Sequence, residues 1–302
     1  MDISAFCSEH LGSSVREVLF TARSLSVVTG VRLEDGREVV VKVRSPSARL
    51  YGCAAVQRAL WPPDIPVRSR SWIRFPLTAT PWPRAEAFVG GGVQLSGHPF
   101  RYAAELRRMV TLAPSVEDVP RLDPAPPWAS WDHDRHGIWP VRDDGGRALS
   151  TDNVPHWLGD LACRAKVRLA RCERPEVVGH CDWESQSLRW VGDRLHACHD
   201  WDSVAARPEP VIAGLAAAVY RADAKSRLRA SVSEGAAFLD AYGLDGAISR
   251  SPGPPVYGSC ASTRLRRRQH SGEVRASTRC EPTPENDLSE PTPNRLEPAP
   301  RR

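Results

Sequence analysis

Two stretches of the chain concentrate side chains that can move protons or hold cations. The first runs His180-Cys181-Asp182-Trp183-Glu184-Ser185-Gln186-Ser187 and continues Leu188-Arg189-Trp190. The second runs His196-Ala197-Cys198-His199-Asp200-Trp201-Asp202-Ser203. Carboxylates brought to one small volume suit a divalent cation and the abstraction of a proton from a hydroxyl. The same residues also admit simpler readings. Asp182 and Asp200 are residue types that cap turns. Glu184 and Asp202 divide between auxiliary site residues and solvated loop residues. The pairs His180-Cys181 and Cys198-His199 carry zinc-type ligands. Neighbouring strand residues point to opposite faces, however, so four such ligands do not converge without distortion.

The elements around these stretches decide between the readings. Ser187–Val191 and Arg194–His199 are two short β-like runs joined by Gly192-Asp193, which predicts a hairpin. Asp182 lies just before its first strand and Asp200 just after its second, so the hairpin brings both carboxylates to one end. Upstream, Val-Arg-Leu-Glu-Asp-Gly-Arg-Glu-Val-Val-Val-Lys places Asp35-Gly36 between two β-rich runs, a second hairpin signal that sets Lys42 on a third strand. Alone, Lys42 reads more readily as an edge-strand lysine that discourages aggregation. Residues 47–61 read as a helix stopped by Pro62-Pro63, with Leu50, Ala54, Gln57 and Trp61 along one side. Ser71–Thr80 and Ala85–Gly92 read as two further strands, so the first 90 residues predict a small antiparallel sheet with one helix.

Residues 100–112 are helical in pattern, and residues 154–170 place Trp157, Leu158, Leu161, Ala162, Ala165 and Leu169 on one stripe. Between them lies a long connection rich in Pro and Trp; its segment 128–139 reads either as packing or as a substrate wall. Helices are expected near 210–222 and 232–242. Residues 251–302 hold nine Pro and only five of Val, Leu, Ile, Met, Phe and Trp, too few to offset the entropy of ordering. A disordered tail over 246–302 is therefore expected. With no helix there to cover them, Ile212, Leu215, Val219, Phe238 and Leu239 are expected to be partly exposed.

His180-x-Asp182 followed by Ser187 has the shape of the protein-kinase catalytic loop H-R-D-L-x-x-x-N, with a later Asp that holds magnesium. The chain resembles the aminoglycoside phosphotransferase family over about residues 15–245. The likeness is strongest to a subgroup whose loop reads H-x-D-W-E-x-Q-N, then L-R-W and H-D-W-D-S, and whose pocket segment is similar to Trp131–Pro140 here. The resemblance implies an α+β, two-lobed, protein-kinase-like fold: a sheet lobe over 1–90, a helical lobe with the catalytic loop over 91–245, and the tail. It implies a kinase moving the γ-phosphoryl group of ATP to a hydroxyl of a small molecule, with Mg2+ as cofactor. Asp182 would be the base, Asp200 and Ser187 the metal ligands, and Lys42 the phosphate contact. Glu86 and Phe88 would lie in the hinge that receives adenine. His180, Gln57, Glu184, Gln186 and Asp202 would support them. Three features depart from the family. Ser187 stands where the family has Asn, residues 45–60 contain no acid to pair with Lys42, and the end of the chain differs in character. Gln57 is the substitute that the helix offers. These departures define an alternative: a catalytically impaired, kinase-like remnant that binds nucleotide or a protein partner.

Composition bounds the partners. The formal charge of the 302-residue chain is +5, of which +3 comes from nine Arg against six acids in residues 251–302, so nothing argues for nucleic acid. The Arg-rich Arg264–Gln269 segment reads as a solvated charge run. No apolar run of membrane-spanning length occurs, and the N-terminus lacks a secretory pattern. Eight scattered Cys without a CxxC read as reduced thiols of a cytoplasmic protein. The sequence does not set the oligomeric state or the acceptor.

Overall fold

The computed structural model describes residues 2–23, 26–44, 47–60, 82–133, 137–140, 154–223 and 228–244. Contacts divide the chain into Met1–Thr263 and Arg264–Arg302, and every described residue belongs to the first unit. The tail expected over 246–302 and the strand expected over 71–80 lie outside the described residues.

The chain opens with α1 (Ile3–Leu11), whose N-terminal amides of Ser4 and Ala5 donate to the Asp2 carboxylate at 2.8 and 3.2 Å. Gly12, at φ 72°, ends it. The sequence predicts one helix in this lobe and the structure has two, because Phe6 and Cys7 suffice to seat a short capped helix on the sheet. That sheet is antiparallel, in the order β1 (Val15–Arg23), β2 (Val27–Leu33), β3 (Glu38–Arg44), β4 (Trp82–Ala87). Asp35-Gly36 makes the β2–β3 turn, with Gly36 at φ 84°. Val31, Leu33, Val39, Val41 and Ala85 face α1 and α2 (Arg49–Ala59), where Phe6, Cys7 and Leu50 cover them. Val40 and Lys42 therefore point to the other face, toward the second lobe. β4 stops at Ala87, short of the glycines at 90–92.

Those glycines are the connection between lobes. Gly91 and Gly92 have φ of 85° and 73°, and a Cβ on Gly92 would meet Arg189 Cβ at 3.0 Å. The next residue, Val93, exchanges two 2.8 Å backbone hydrogen bonds with Trp190. The connection is thus pinned to the hairpin of β6 (Leu188–Val191) and β7 (Arg194–Cys198). Beyond it come α3 (Pro99–Leu112), α4 (His156–Ala170), α5 (Glu209–Val219) and α6 (Val232–Tyr242). A further pair, β5 (Glu176–His180) with β8 (Val204–Pro208), brackets the hairpin.

The helical core corrects one expectation. Ile212, Leu215 and Phe238 are buried, not partly exposed, and they share a cluster with Tyr102, Leu106 and Met109 of α3. The cover comes from an upstream helix, so no downstream helix is needed to bury them. Phe238 also lies beside Tyr220 and Tyr242. On α4 the stripe is only half-buried: Ala162 is enclosed beside Trp131, Ile138 and Trp139, whereas Trp157 is 61% exposed. Trp183, Trp190 and Trp201 are fully enclosed around the hairpin. Each such side chain contributes about 1.5–3 kcal/mol of apolar burial, which anchors the loops that flank the hairpin. No helix among the described residues is long and apolar enough to cross a membrane.

Candidate active site

β3 delivers Lys42 to the cleft between the lobes. Its ammonium donates to Asp200 Oδ1 at 2.6 Å and lies 3.8 Å from Glu86 Oε1 and 3.9 Å from Asp202 Oδ1. Only 8% of Lys42 is exposed. Burial works against its charge, but the fields of Asp200, Glu86 and Asp202 win and raise its pKa. Lys42 is therefore a fixed cation, not the mobile side chain of an open sheet edge.

β5 ends on His180, and the loop after it carries Asp182. The backbone N–H of Asp182 donates to His180 Nδ1 at 3.2 Å. His180 Nε2 lies 2.9 Å from the His199 carbonyl, an acceptor, so Nε2 carries the proton. Burial lowers the pKa of this enclosed ring, so it stays neutral. One imidazole thus ties the Asp182 loop to the residue before Asp200. Three indole N–H groups fasten the same region: Trp183 donates to the Tyr102 carbonyl at 3.0 Å, Trp201 to Cys198 at 2.9 Å, and Trp128 to Cys181 at 3.0 Å. Trp128, from the Pro/Trp-rich connection, therefore packs directly on the loop that carries Asp182. Residues 134–136 and 141–153 of that connection lie outside the described residues.

Asp200 follows β7 in the left-handed region, at φ 57° and ψ 40°. It is the one non-glycine with positive φ among the described residues. Such a conformation is costly for a side chain with a Cβ and persists where the surroundings enforce it. Here the neighbouring residue supplies enforcement: the His199 amide donates to the Ser187 carbonyl at 2.8 Å. Ser187 Oγ lies 3.4 Å from Asp200 Oδ2. Burial raises and Lys42 lowers the Asp200 pKa, and the lysine prevails, holding the carboxyl below the ordinary range. Its side chain is still 45% exposed, at the mouth of the cleft.

Asp182 has the opposite character. Burial, then the negative charges of Glu184, Asp200 and Asp202, push its pKa well above the ordinary carboxylate range, against the pull of Lys42. Burial also raises Glu184, with the Gln186 amide, its hydrogen-bond partner, working the other way. One cleft therefore holds a carboxylate kept ionised and another biased toward its protonated form, an arrangement that separates a cation ligand from a proton acceptor.

Several participants are invisible in the sequence pattern. Arg44, two residues past Lys42, pairs with the Asp202 carboxylate. Arg49, in the first turn of α2, is 7% exposed and donates to the carbonyls of Asp202 at 2.6 Å and Val204 at 2.7 Å. The sheet lobe thus grips the segment after Asp200 with two arginines. The only available signal is their position beside Lys42. Glu86 lies with its carboxylate against Lys42 and Gln57, whose amide donates to it at 3.4 Å. Phe88 packs on Phe20, ring centroids 5.7 Å apart, and the Phe20 ring covers Gly30, where a Cβ would come within 2.2 Å of it. The Phe88 amide is taken by the Glu38 carbonyl at 2.9 Å.

Among the described residues no group of three or more His, Cys, Asp and Glu is arranged to hold a metal. Burial pushes the Cys181 thiol up to about 12 and raises Cys198 as well, so both thiols stay protonated. The oxygen pair Ser187–Asp200 is a different donor set. Neighbouring oxygens in a magnesium octahedron sit about 3.0 Å apart. The observed 3.4 Å falls close to that edge. The chemistry of the set, one ionised carboxylate and one hydroxyl, fits a hard cation completed by phosphate oxygens and water.

Comparison with known proteins finds similarity in structure only. No family model and no curated protein sequence matches the chain. A spectinomycin phosphotransferase solved with ADP and spectinomycin superposes with a TM-score of 0.50 at 10% identity, over 80% of this chain and 79% of that one. An amicoumacin kinase solved with AMP-PNP, Ca2+ and Ami gives a TM-score of 0.50 at 15% identity, over 82% of this chain and 80% of that one. The chain has the two-lobed fold of kinase-like phosphotransferases.

Proposed function

We propose that this chain is an ATP-dependent phosphotransferase acting on a hydroxyl of a small molecule, with Mg2+ as its cation. The observation that carries the proposal is the meeting of Lys42 and Asp200, 2.6 Å apart across 158 residues, at a cleft that also holds Asp182. The two structural neighbours, whose solved complexes contain ADP and AMP-PNP, support the nucleotide.

In this reading Lys42 pairs with the phosphates of the nucleotide. Asp200 and Ser187 would hold the cation, which when bound would neutralise charge on the phosphates. Phe88, Phe20 and the strand carrying Glu86 roof the base. Asp182 faces the acceptor hydroxyl. The acceptor oxygen forms a bond to the γ-phosphorus as the bond to the β–γ bridging oxygen breaks. The hydroxyl proton passes to Asp182 and the departing charge stays on ADP. The raised pKa of Asp182 makes it a stronger base once ionised. His180 and the indoles around it fix the loop geometry on which the step depends. Trp128, seated on the loop that carries Asp182, would border the acceptor side.

A second reading is a nucleotide-binding remnant without turnover. Ser187 in place of an amide ligand and the acid-free α2 favour it. Titration of ATP with and without Mg2+, followed by a phosphate-transfer screen over chemically diverse hydroxyl compounds, separates the two. Mg2+-dependent ATP binding with transfer to some acceptor supports the enzyme. Binding without turnover across the panel favours the remnant, and no nucleotide binding removes both.

A further inference from the structure

In protein kinases the strand lysine is held by a glutamate of the helix that follows it. Here that helix, α2, contains no acid. We propose that Glu86, from the neighbouring strand β4, has taken over this task as the positioning residue for Lys42, with Gln57 left on the helix as its brace. This rests on the phosphotransfer reading above.

The geometry isolates Glu86 for this role. β3 and β4 pair with Val40 opposite Glu86 and Lys42 opposite Arg84, so Glu86 and Lys42 are diagonal neighbours on one face. Glu86 is 9% exposed and Lys42 8%, so neither reaches solvent freely. The carboxylate is 3.8 Å from the ammonium by one oxygen and 3.4 Å from the Gln57 amide by the other. Gln57 itself is 1% exposed on α2, at the place from which a helix acid would point. A neutral amide there donates to the carboxylate and leaves its charge for the lysine.

The other two carboxylates near Lys42 have other duties. Asp202 is paired with Arg44. Asp200 is half-exposed and must turn an oxygen to a cation if the site is loaded. When it does so, Lys42 loses its 2.6 Å partner, and a buried ammonium needs another anion to remain charged and aimed. Glu86 is placed to supply it. The salt bridge has moved from helix to strand, and its link to α2 has become an uncharged hydrogen bond.

The test uses the full chain with Glu86→Gln, Gln57→Glu and the double exchange Gln57→Glu/Glu86→Gln. Two quantities are read. Trace labelling with isotopic acetic anhydride across the alkaline range, resolved by mass spectrometry at the Lys42 peptide, reports the lysine without any nucleotide. ATP titration with Mg2+ reports positioning. In Glu86→Gln, Lys42 labelling is expected to rise about tenfold and ATP affinity to fall about tenfold, as loss of a buried charge partner implies. The double exchange is expected to return both to within about threefold of the parent, since the acid is then restored from the helix side. Thermal melting confirms that the variants fold, and Gln57→Glu alone, which keeps Glu86, stands in if Glu86→Gln does not; it should then slow Lys42 labelling by adding a second acid. Unchanged Lys42 labelling in these variants overturns the proposal. So does altered labelling with unchanged ATP affinity, because the pair would then be structural only. If the parent chain binds no ATP, the phosphotransfer reading falls, while the labelling arm still decides whether Glu86 holds Lys42.

Discussion

Lys42 Nζ donates to Asp200 Oδ1 at 2.6 Å, so the lysine assigned to phosphate and the carboxylate assigned to the cation are bonded to each other. A cation arriving alone must displace that ammonium or share an oxygen with it. Cation and nucleotide should therefore bind cooperatively, since the phosphates give Lys42 a new partner. Lys42→Met should tighten Mn2+ binding in the absence of nucleotide by several-fold, while weakening ATP binding by about tenfold or more. Calorimetric titration of each ligand measures both. Mn2+ affinity that does not rise in Lys42→Met would mean the lysine does not guard the cation position.

Asp182→Asn should abolish most turnover, by about 10^2–10^4, through loss of the proton acceptor. It should also stabilise the protein. The folded-state pKa of Asp182 lies above its unfolded value, so the folded chain holds this proton longer. Its ionisation costs stability as pH rises through the ordinary carboxylate range, and the cost vanishes below that range. A higher Tm for the variant is expected at neutral pH, by about 2–4 °C for each kcal/mol relieved. No difference is expected near or below about pH 4. Calorimetric melting at both pH values checks the sign.

The acidic limb of kcat/KM should lie above the ordinary carboxylate value of about 4, because the base works only when ionised. Glu184 is the leading charge that raises Asp182. Glu184→Gln should therefore move the limb toward lower pH while leaving turnover at neutral pH largely in place. A limb that stays put would separate Glu184 from the acceptor base.

Ser187→Asn should lower the Mg2+ concentration that gives half-maximal turnover and raise turnover itself, since an amide oxygen reaches further and ligates better than a hydroxyl. Ser187→Ala should raise that concentration by about tenfold, the effect of losing one oxygen ligand. If neither substitution moves the Mg2+ dependence, Ser187 is not at the cation.

Arg49→Met should destabilise the chain by about 2–3 kcal/mol, since it leaves the buried carbonyls of Asp202 and Val204 without their charged donor. The corresponding fall in Tm is about 5–10 °C. A variant that melts with the parent would show that α2 is held by packing alone.

Much of this arrangement is legible in the sequence because it is local. Asp35-Gly36 and Gly192-Asp193 announce their hairpins, and the second hairpin places Asp182 and Asp200 at its open end. Helices α3, α5 and α6 follow from apolar spacing. What is missed is non-local or weakly patterned. β5 and β8 are five-residue strands that pair His180 with Val204 across the whole hairpin, and neither run alternates clearly. Burial of Ile212 and Phe238 is misread because the covering residues, Tyr102 and Leu106, lie more than 100 positions upstream. The contacts of Arg44 and Arg49 depend on how two lobes meet, and the Lys42–Glu86 pair on the β3–β4 register, neither of which a spacing rule encodes. The stripe on α4 shows the limit of such spacing: it gives the period of a face but not the width that is covered, and Trp157 at its edge is exposed.

The helix α2 belongs to both lobes at once. Its Leu50 lies in the sheet-side cluster, whereas Cys53, Val56 and Leu60 lie in the helical-side cluster, and Arg49 binds the backbone after Asp200. The glycine connection at 90–92 is the other attachment, stapled through Val93 to Trp190. Two fixed attachments define a line. Lifting or sliding one lobe on the other would break buried packing along α2 or the backbone hydrogen bonds between Val93 and Trp190. The 2.6 Å contact of Lys42 with Asp200 spans the same two lobes that these attachments join.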